Sequence, residues 1–332
     1  MSCYVARWRC CINSHGRSTS AKFRCVTNQP KQLYRIRNWQ QYNKALVQRG
    51  SLTLWIDTRA TNTWLDCSCP PRRGRRRTYT DAAILCALLL REVYHLPLRS
   101  TQGLVAAVLR LMRVRLPVMH YSTLSRRARQ LQLSLAQPQR IRHLVIDSTG
   151  LKLYGEGEWK VRLHGADKRR TWRKLHLAMD AERWQVTSAV ITDKDELDRH
   201  VLPPLMRHQR GEVMTVCADG AYDFQECYRA IKVCEARPLI PPRSDAVVRG
   251  KSPFEQRDEN VREIKKLGRK RWKKESGYHT RSLVECAFFR LKTIFSEKLK
   301  ARLRETQKIE AELRCLALNR MTKLGMPKSY SI

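Results

Sequence analysis

Apolar positions keep a helical period in one part of the chain and a strand period in another. Between Asp81 and Leu133 they recur every three or four residues, the mark of helices that bury one face. Asp81–Tyr94 places Ala83, Ala87, Leu90 and Tyr94 on such a face, with Thr80 in front as N-cap. Thr101–Val114 does the same with Leu104, Val108, Leu111 and Met112, and Pro117 blocks its continuation. Ser122–Leu133 is a third, shorter helix bearing Arg126, Arg127 and Arg129. From His143 onward the pattern changes to short apolar runs and alternation. His143–Asp147 (HLVID) is an apolar run ending in a carboxylate. Trp172–Met179 and Trp184–Thr192 read as partner strands across a turn at Ala181–Arg183. Val213–Ala218 is a buried strand ending at Asp219, and Arg237–Ile240 is a short strand before Pro241 and Pro242. Arg199–His208 and Phe224–Cys234 supply helices between strands. Residues 243–277 are polar, basic and without period, and read as irregular. Helical patterns return at 279–298 and 303–324.

Three strands, a helix, a strand, a helix, a strand and a late helix is the order of a ribonuclease-H-like α/β domain. The predicted fold is therefore a mixed sheet flanked by helices, preceded by a mostly helical, basic DNA-binding domain. Residues 1–30 show no period and read as a disordered leader. Residues 31–140 form the basic helical domain, and 141–325 the ribonuclease-H-like domain with a polar insertion at 243–277. Helix, turn and Arg-rich helix within 81–133 match a helix-turn-helix unit whose last helix enters the major groove. An ordinary helical bundle with a solvated Arg face fits the same pattern.

Charge narrows the partner. The chain has 66 Lys and Arg against 30 Asp and Glu, a formal net charge of +36. Residues 1–140 alone hold 25 Lys/Arg against four acids, Asp57, Asp66, Asp81 and Glu92. Such an excess on a folded chain calls for a polyanion, and nucleic acid is the default. PPRRGRRR at 70–77 is a solvated linker or a phosphate-contacting arm. With 42% hydrophobic residues the chain can build a core, which excludes a wholly disordered protein. The longest apolar stretch, Ala82–Leu90, is far below the ~20 residues of a membrane span. None of the 12 cysteines is spaced C-x2-C, so no structural zinc site is expected. Met1–Cys11 lacks an apolar signal core, and the expected location is the cytoplasm, with free thiols.

The chemistry gathers at three acids. Asp147 in LVIDSTG and Asp219 in VCADGAYD each follow an apolar strand, and side chains at strand ends converge in α/β sheets. In Gly277–Lys292, Tyr278, Arg281, Glu285 and Lys292 are spaced 3, 4 and 7 apart and fall on one helical stripe. Val284, Phe288, Leu291 and Phe295 form an adjacent apolar stripe that can pack on the sheet, turning Glu285 toward the two Asp residues. Facing carboxylates repel and need cations, and Mg²⁺ with oxygen ligands suits them. Three carboxylates beside cationic donors fit metal-assisted phosphoryl transfer on a polyanion. Other groups have plainer readings. Asp193, Asp195, Glu196 and Asp198 precede a helix, where carboxylates meet its dipole. Asp223 is a helix N-cap, and His164 and His176 are structural rather than general bases. No G-x-S-x-G and no G-x4-GK[ST] is present.

At these residues the chain resembles bacterial insertion-sequence transposases of the DDE type, in the group with the signature Tyr-x2-Arg-x3-Glu-x6-Lys. Tyr278, Arg281, Glu285 and Lys292 match that spacing without gaps. Residues 145–165, 217–223 and 317–327 resemble the blocks of the first Asp, the second Asp and the C-terminal end, and 34–57 the N-terminal opening. The resemblance implies hydrolysis of the phosphodiester at element ends, then strand transfer of the 3′-hydroxyl into target DNA, without ATP. It implies Mg²⁺, with Mn²⁺ as substitute, held by Asp147, Asp219 and Glu285. Tyr278, Arg281 and Lys292 would contact element-end DNA near the cleavage site. Arg126, Arg127 and Arg129 would contact DNA from the helical domain. The expected partners are double-stranded DNA, as terminal inverted repeats and target, and further copies of the chain on paired ends. The expected setting is the bacterial cytoplasm, at the nucleoid. The rival readings are an inactive relic acting as a DNA-binding regulator, and a generic ribonuclease-H-like nuclease.

Overall fold

A computed structural model describes residues 34–56, 58–67, 77–153, 172–250 and 252–332. The leader expected at 1–30, His164 and nearly all of the arm at 70–77 lie outside the described residues. Tyr34–Ile36 (β1) pairs antiparallel with Ser329–Ser331 (β8), in a small unit of its own. Asn38–Pro327 forms the other, much larger unit.

The larger unit opens with helices. Trp39–Gln48 (α1) is followed by short helical turns at Leu52–Trp55 and Thr58–Asn62. Then come Asp81–Val93 (α2), Leu98–Leu111 (α3) and Tyr121–Ala128 (α4). Thr80 caps α2, its hydroxyl oxygen accepting from the Ala83 N–H at 3.2 Å. Helix α3 starts three residues before the expected Thr101, directly behind Pro97. Helix α4 ends at Ala128, five residues short of the expected Leu133.

The described residues place six strands in the central sheet, in the order β4-β3-β2-β5-β6, with β7 also on β2. These are Arg140–Leu153 (β2), Trp172–Asp180 (β3), Gln185–Asp193 (β4), Glu212–Cys217 (β5), Arg237–Leu239 (β6) and Lys298–Leu299 (β7). Strands β2, β3 and β4 pair antiparallel, whereas β5 and β6 run parallel to β2. This mixed sheet flanked by helices is consistent with a ribonuclease-H-like fold. Gly211 lets β5 come alongside β2. A Cβ there would lie 2.1 Å from the Pro138 carbonyl oxygen, so only glycine fits.

Alternation along the strands sorts their side chains onto two faces. Val145, Leu175, Leu177, Met179 and Cys217 share one core with the helices Ser282–Phe295 (α9) and Arg304–Leu324 (α10). Ile146, Ala178, Val216 and Ala218 share the other with Asp198–Arg207 (α5) and Gln225–Val233 (α6). The first core also contains Leu88 and Leu89 of α2, Val105 of α3 and Leu124 of α4. Hydrophobic packing therefore runs without interruption across residue 140. Residues on both sides of position 140 belong to the unit Asn38–Pro327.

Polar ties fasten α10 inside this core. Arg314 is fully buried. It donates to Glu92 of α2 at 3.2 Å, to Glu310, and to the carbonyls of Ser296 and Lys298 at 3.1 and 2.9 Å. Burial, then the neighbouring Glu310 charge, push the Glu92 carboxyl above its ordinary range. Asn319 bonds both the N–H and the carbonyl of Val186 at 2.8 and 2.7 Å. That covers polar backbone on β4, an edge strand of the sheet.

The segment 243–277 is not irregular throughout. It holds Glu255–Leu267 (α7) and Arg269–Glu275 (α8). Buried polar ties support these helices, which is why no apolar period betrays them. Arg257 pairs with Asp223 at 2.7 Å, Asp258 accepts from the Arg249 and Gly250 N–H groups, and Asn260 donates to the Pro238 carbonyl.

Removing Arg314 strands two buried carboxylates, a change that typically costs about 3–5 kcal/mol. Arg314→Met is expected to lower unfolding stability by about 3 kcal/mol or more. Urea denaturation followed by circular dichroism checks this, and a loss under about 1 kcal/mol would show that the network is not stabilising.

Candidate active site

Parallel pairing sets the first two acids side by side. Val145 of β2 is opposite Cys217 of β5, and Asp147 and Asp219 each follow two residues later. Adjacent strands lie about 5 Å apart, so these carboxylates leave the sheet as neighbours. Both keep the parity of Val145 and Cys217 and so belong to the face that packs on α9. The peptide backbone holds one oxygen of each. Ser148 N–H donates to Asp147 Oδ1 at 2.8 Å, and Ala221 N–H to Asp219 Oδ1 at 2.9 Å. The second bond makes Asp219 the N-cap of the 3₁₀ turn Gly220–Tyr222.

Helix α9 brings the third acid. Val284, Ala287, Phe288, Leu291 and Phe295 are buried against the sheet, which leaves Glu285 at the rim with its side chain exposed. Arg281 lies between the acids. Its Nη1 donates to Asp147 Oδ2 at 2.5 Å and its Nη2 to Glu285 Oε1 at 2.9 Å. Burial lifts the Asp147 carboxyl above its ordinary range. The Ser148 N–H and Arg281 pull it back, and the charges of Asp219 and Glu285 push it further up. Against the cost of its own burial, Arg281 is held more firmly protonated by Asp147, Tyr278, Glu285 and Asp219. As they stand, no three His, Cys, Asp or Glu among the described residues are grouped closely enough to hold a metal ion.

The remaining expected contacts separate. Tyr278 and Arg281 do not sit on α9 itself but on a 3₁₀ turn, Tyr278–Arg281, that leads into it. Tyr278 is buried rather than displayed on the stripe, with its ring 6.0 Å from that of Trp272 and Lys273 Nζ 5.3 Å from its centroid. Burial chiefly raises the Tyr278 hydroxyl to about 12, with Asp219 and Asp147 adding to the rise and Arg281 opposing it. Beneath the turn, Cys217 contacts the Thr280 hydroxyl at 3.7 Å, and burial pushes its thiol up to about 11. Lys292 is half-buried on α9. Lys152, by a hydrogen bond, and the charges of Lys292 and Lys298 hold the Glu297 carboxyl below its usual range. Arg126 on α4 and Arg129, at its C-cap, are exposed. Arg127 is not: it turns inward and donates to the Tyr79 carbonyl at 2.7 Å and to Asp81 at 2.5 Å. Two of its guanidinium nitrogens are thus engaged by α2 and the segment before it, unlike those of its exposed neighbours.

The rival groups have structural partners. Asp193 pairs with Arg173 and Arg304, Glu196 with His200, and Asp198 with Lys174. Asp223 is the partner of Arg257 and accepts from the Tyr228 hydroxyl at 2.9 Å, so it is not the cap expected for α6. His176 is fully buried in the strand next to Ser148, on the sheet face opposite Asp147. Its Nε2 shares a hydrogen bond with the Thr192 hydroxyl at 2.9 Å, and its Nδ1 faces Asp198 at 3.5 Å. Sequence reasoning missed the pairing of His176 with Asp198. Nothing in their separation along the chain marks them as neighbours.

Together these features define an α/β protein with one acid on a central strand, a second just past its parallel neighbour, and a third on a helix joined to the first by Arg281. Two family models described as a transposase DDE domain match the chain, one over residues 47–156 and one over 138–320. The second alone spans more than half of the sequence. The chain belongs to the DDE-domain transposases. The first match reaches back to residue 47 and so includes α2, α3 and α4 within the family's domain. No helix among the described residues is long and apolar enough to cross a membrane.

His176 makes stability depend on pH. Burial lowers its imidazole from 6.5 to about 4, with Asp198 opposing the fall. Between those values the unfolded chain binds a proton that the folded chain does not, so stability falls as the pH drops. The full loss is about 3 kcal/mol. Denaturation midpoints at pH 7 and pH 4.5 should therefore differ less in His176→Gln than in the wild type. An unchanged difference would rule out His176 as the source.

Proposed function

We propose that the protein is a metal-dependent DNA transposase that hydrolyses a phosphodiester bond at each end of its element and joins the freed 3′-hydroxyl to target DNA. The observation that carries this reading is the meeting of Asp147 and Glu285 at Arg281, beside Asp219, in a chain of the DDE family. In hydrolysis, a water oxygen attacks phosphorus, the P–O3′ bond breaks, and the 3′-oxygen takes up a proton. In joining, that 3′-hydroxyl attacks a target phosphodiester. One phosphodiester forms as another breaks, so no nucleotide hydrolysis is required.

Asp147, Asp219 and Glu285 would hold Mg²⁺, with Mn²⁺ as substitute. The donor set fits: all three are hard oxygen donors, and Asp147 is destabilised by burial and by two like charges that a cation would neutralise. Once bound, such an ion supplies charge stabilisation at the phosphate and lowers the pKa of an attacking water or hydroxyl. The chain's own residues do the positioning. The β2–β5 pairing holds the two Asp carboxylates at fixed separation, and the buried face of α9 holds Glu285 over them. Arg281 and Lys292 hold phosphates of the element end, and Tyr278 shapes the floor from below. Arg126 on α4 and Arg129 at its C-cap contact DNA further along, and the active form is an oligomer on paired ends.

Asp147→Asn, Asp219→Asn and Glu285→Gln are each expected to reduce Mg²⁺-dependent cleavage of an element-end duplex to background while duplex binding persists. Cleavage that survives in a folded variant removes that residue from the mechanism. Cleavage without joining by the wild type would mark a nuclease instead. Lys292→Ala is expected to weaken duplex binding and to reduce the slope of log K against log salt by about one unit. An unchanged slope would show that Lys292 contacts no phosphate.

A further inference from the structure

We propose that Arg281 is a positioning residue that occupies the cation's place in the DNA-free protein, bridging Asp147 to Glu285 until DNA draws it away. This rests on the reading of the three acids as metal ligands. The argument begins with the oxygens that remain. Asp147 Oδ1 accepts the Ser148 N–H, so Oδ2 is the oxygen the backbone leaves less engaged. Arg281 Nη1 takes that same Oδ2 at 2.5 Å, and Nη2 takes Glu285 Oε1 at 2.9 Å. An ion shared by Asp147 and Glu285 and the guanidinium therefore compete for the same atoms. This also explains why the acids lie near one another without forming an ion-binding group.

The contact suits an exchange. A guanidinium presents its N–H groups as a rigid fork, so one side chain can satisfy two carboxylates from different elements. Its charge offsets part of the repulsion among three acids, which holds them close before any ion arrives. Its side chain is 22% exposed, so a phosphate of incoming DNA can reach it. Phosphate is the other anion for which the fork is matched. Transfer of Arg281 to that phosphate releases Asp147 Oδ2 and Glu285 Oε1 together. Metal and DNA then favour each other's binding, and the free protein carries the acids in a guarded state.

The test is Mn²⁺ titration of the full-length, DNA-free protein, followed by loss of the free-ion electron paramagnetic resonance signal. Arg281→Gln is expected to bind Mn²⁺ roughly tenfold more tightly than the wild type. Arg281→Lys keeps the charge but not the fork and is expected to bind more tightly than the wild type as well, which separates the bridge from a general charge effect. Adding Asp219→Asn should remove the gain in both. Circular dichroism establishes folding, and if Arg281→Gln does not fold, Arg281→Lys carries the comparison. If the Arg281 variants bind Mn²⁺ no more tightly than the wild type, while Asp219→Asn still weakens binding, the bridge is not a competitor and the proposal falls. If no protein shows Mn²⁺ binding sensitive to Asp219→Asn, with or without duplex, the metal-ligand reading itself falls.

Discussion

Like-charged groups brought near one another on a sheet must be held there against their own repulsion. Parallel pairing of β2 with β5 supplies the constraint: the ladder sets Val145 against Cys217, and Asp147 and Asp219 each follow two residues beyond that pair. Backbone N–H groups fix one oxygen of each carboxylate. The third acid arrives on a helix whose other face is anchored in the core, so it cannot withdraw either. The cost shows in Asp147, which burial and its two acidic neighbours make harder to ionise.

That local negative cluster sits in a chain of net charge +36. The two facts serve one task. A positive overall field favours polyanionic partners, and on the proposed reading the acids mark where such a backbone would meet cations. A cluster of this kind, left bare, would repel DNA. Arg281 is the group within reach that changes the sign of the problem, because it carries a cationic fork into the midst of the acids.

Much of this was legible from spacing alone. The Thr80 cap, the helices at 81–93 and 304–324, the strand before Asp219 and the apolar face of the Glu285 helix all follow from local periodicity, whereas Asp147, expected just past a strand end, lies inside β2, which continues to Leu153 because its polar half still pairs with β3. What escaped has a common physical cause. Tyr278 and Arg281 share the helical spacing but occupy a 3₁₀ turn, and the number of residues per turn cannot be told from four positions. Arg127 looks like its neighbours Arg126 and Arg129 until Asp81 and the Tyr79 carbonyl are brought beside it. Helix α7 is tied by Arg257, Asp258 and Asn260, polar residues that read as solvated. In each case a long-range polar partner decides the outcome, and the sequence records the partners without recording that they meet.

The continuity of the core across residue 140 limits how such a protein can diversify. Leu88, Leu89, Val105 and Leu124 bury themselves in the same apolar mass as Leu177, Leu291 and Leu318. A helical segment exchanged with that of a relative would have to bring along its complementary half of this contact, or expose it. Change is therefore tolerated more readily at outward-facing side chains than by replacement of the helical segment as a module.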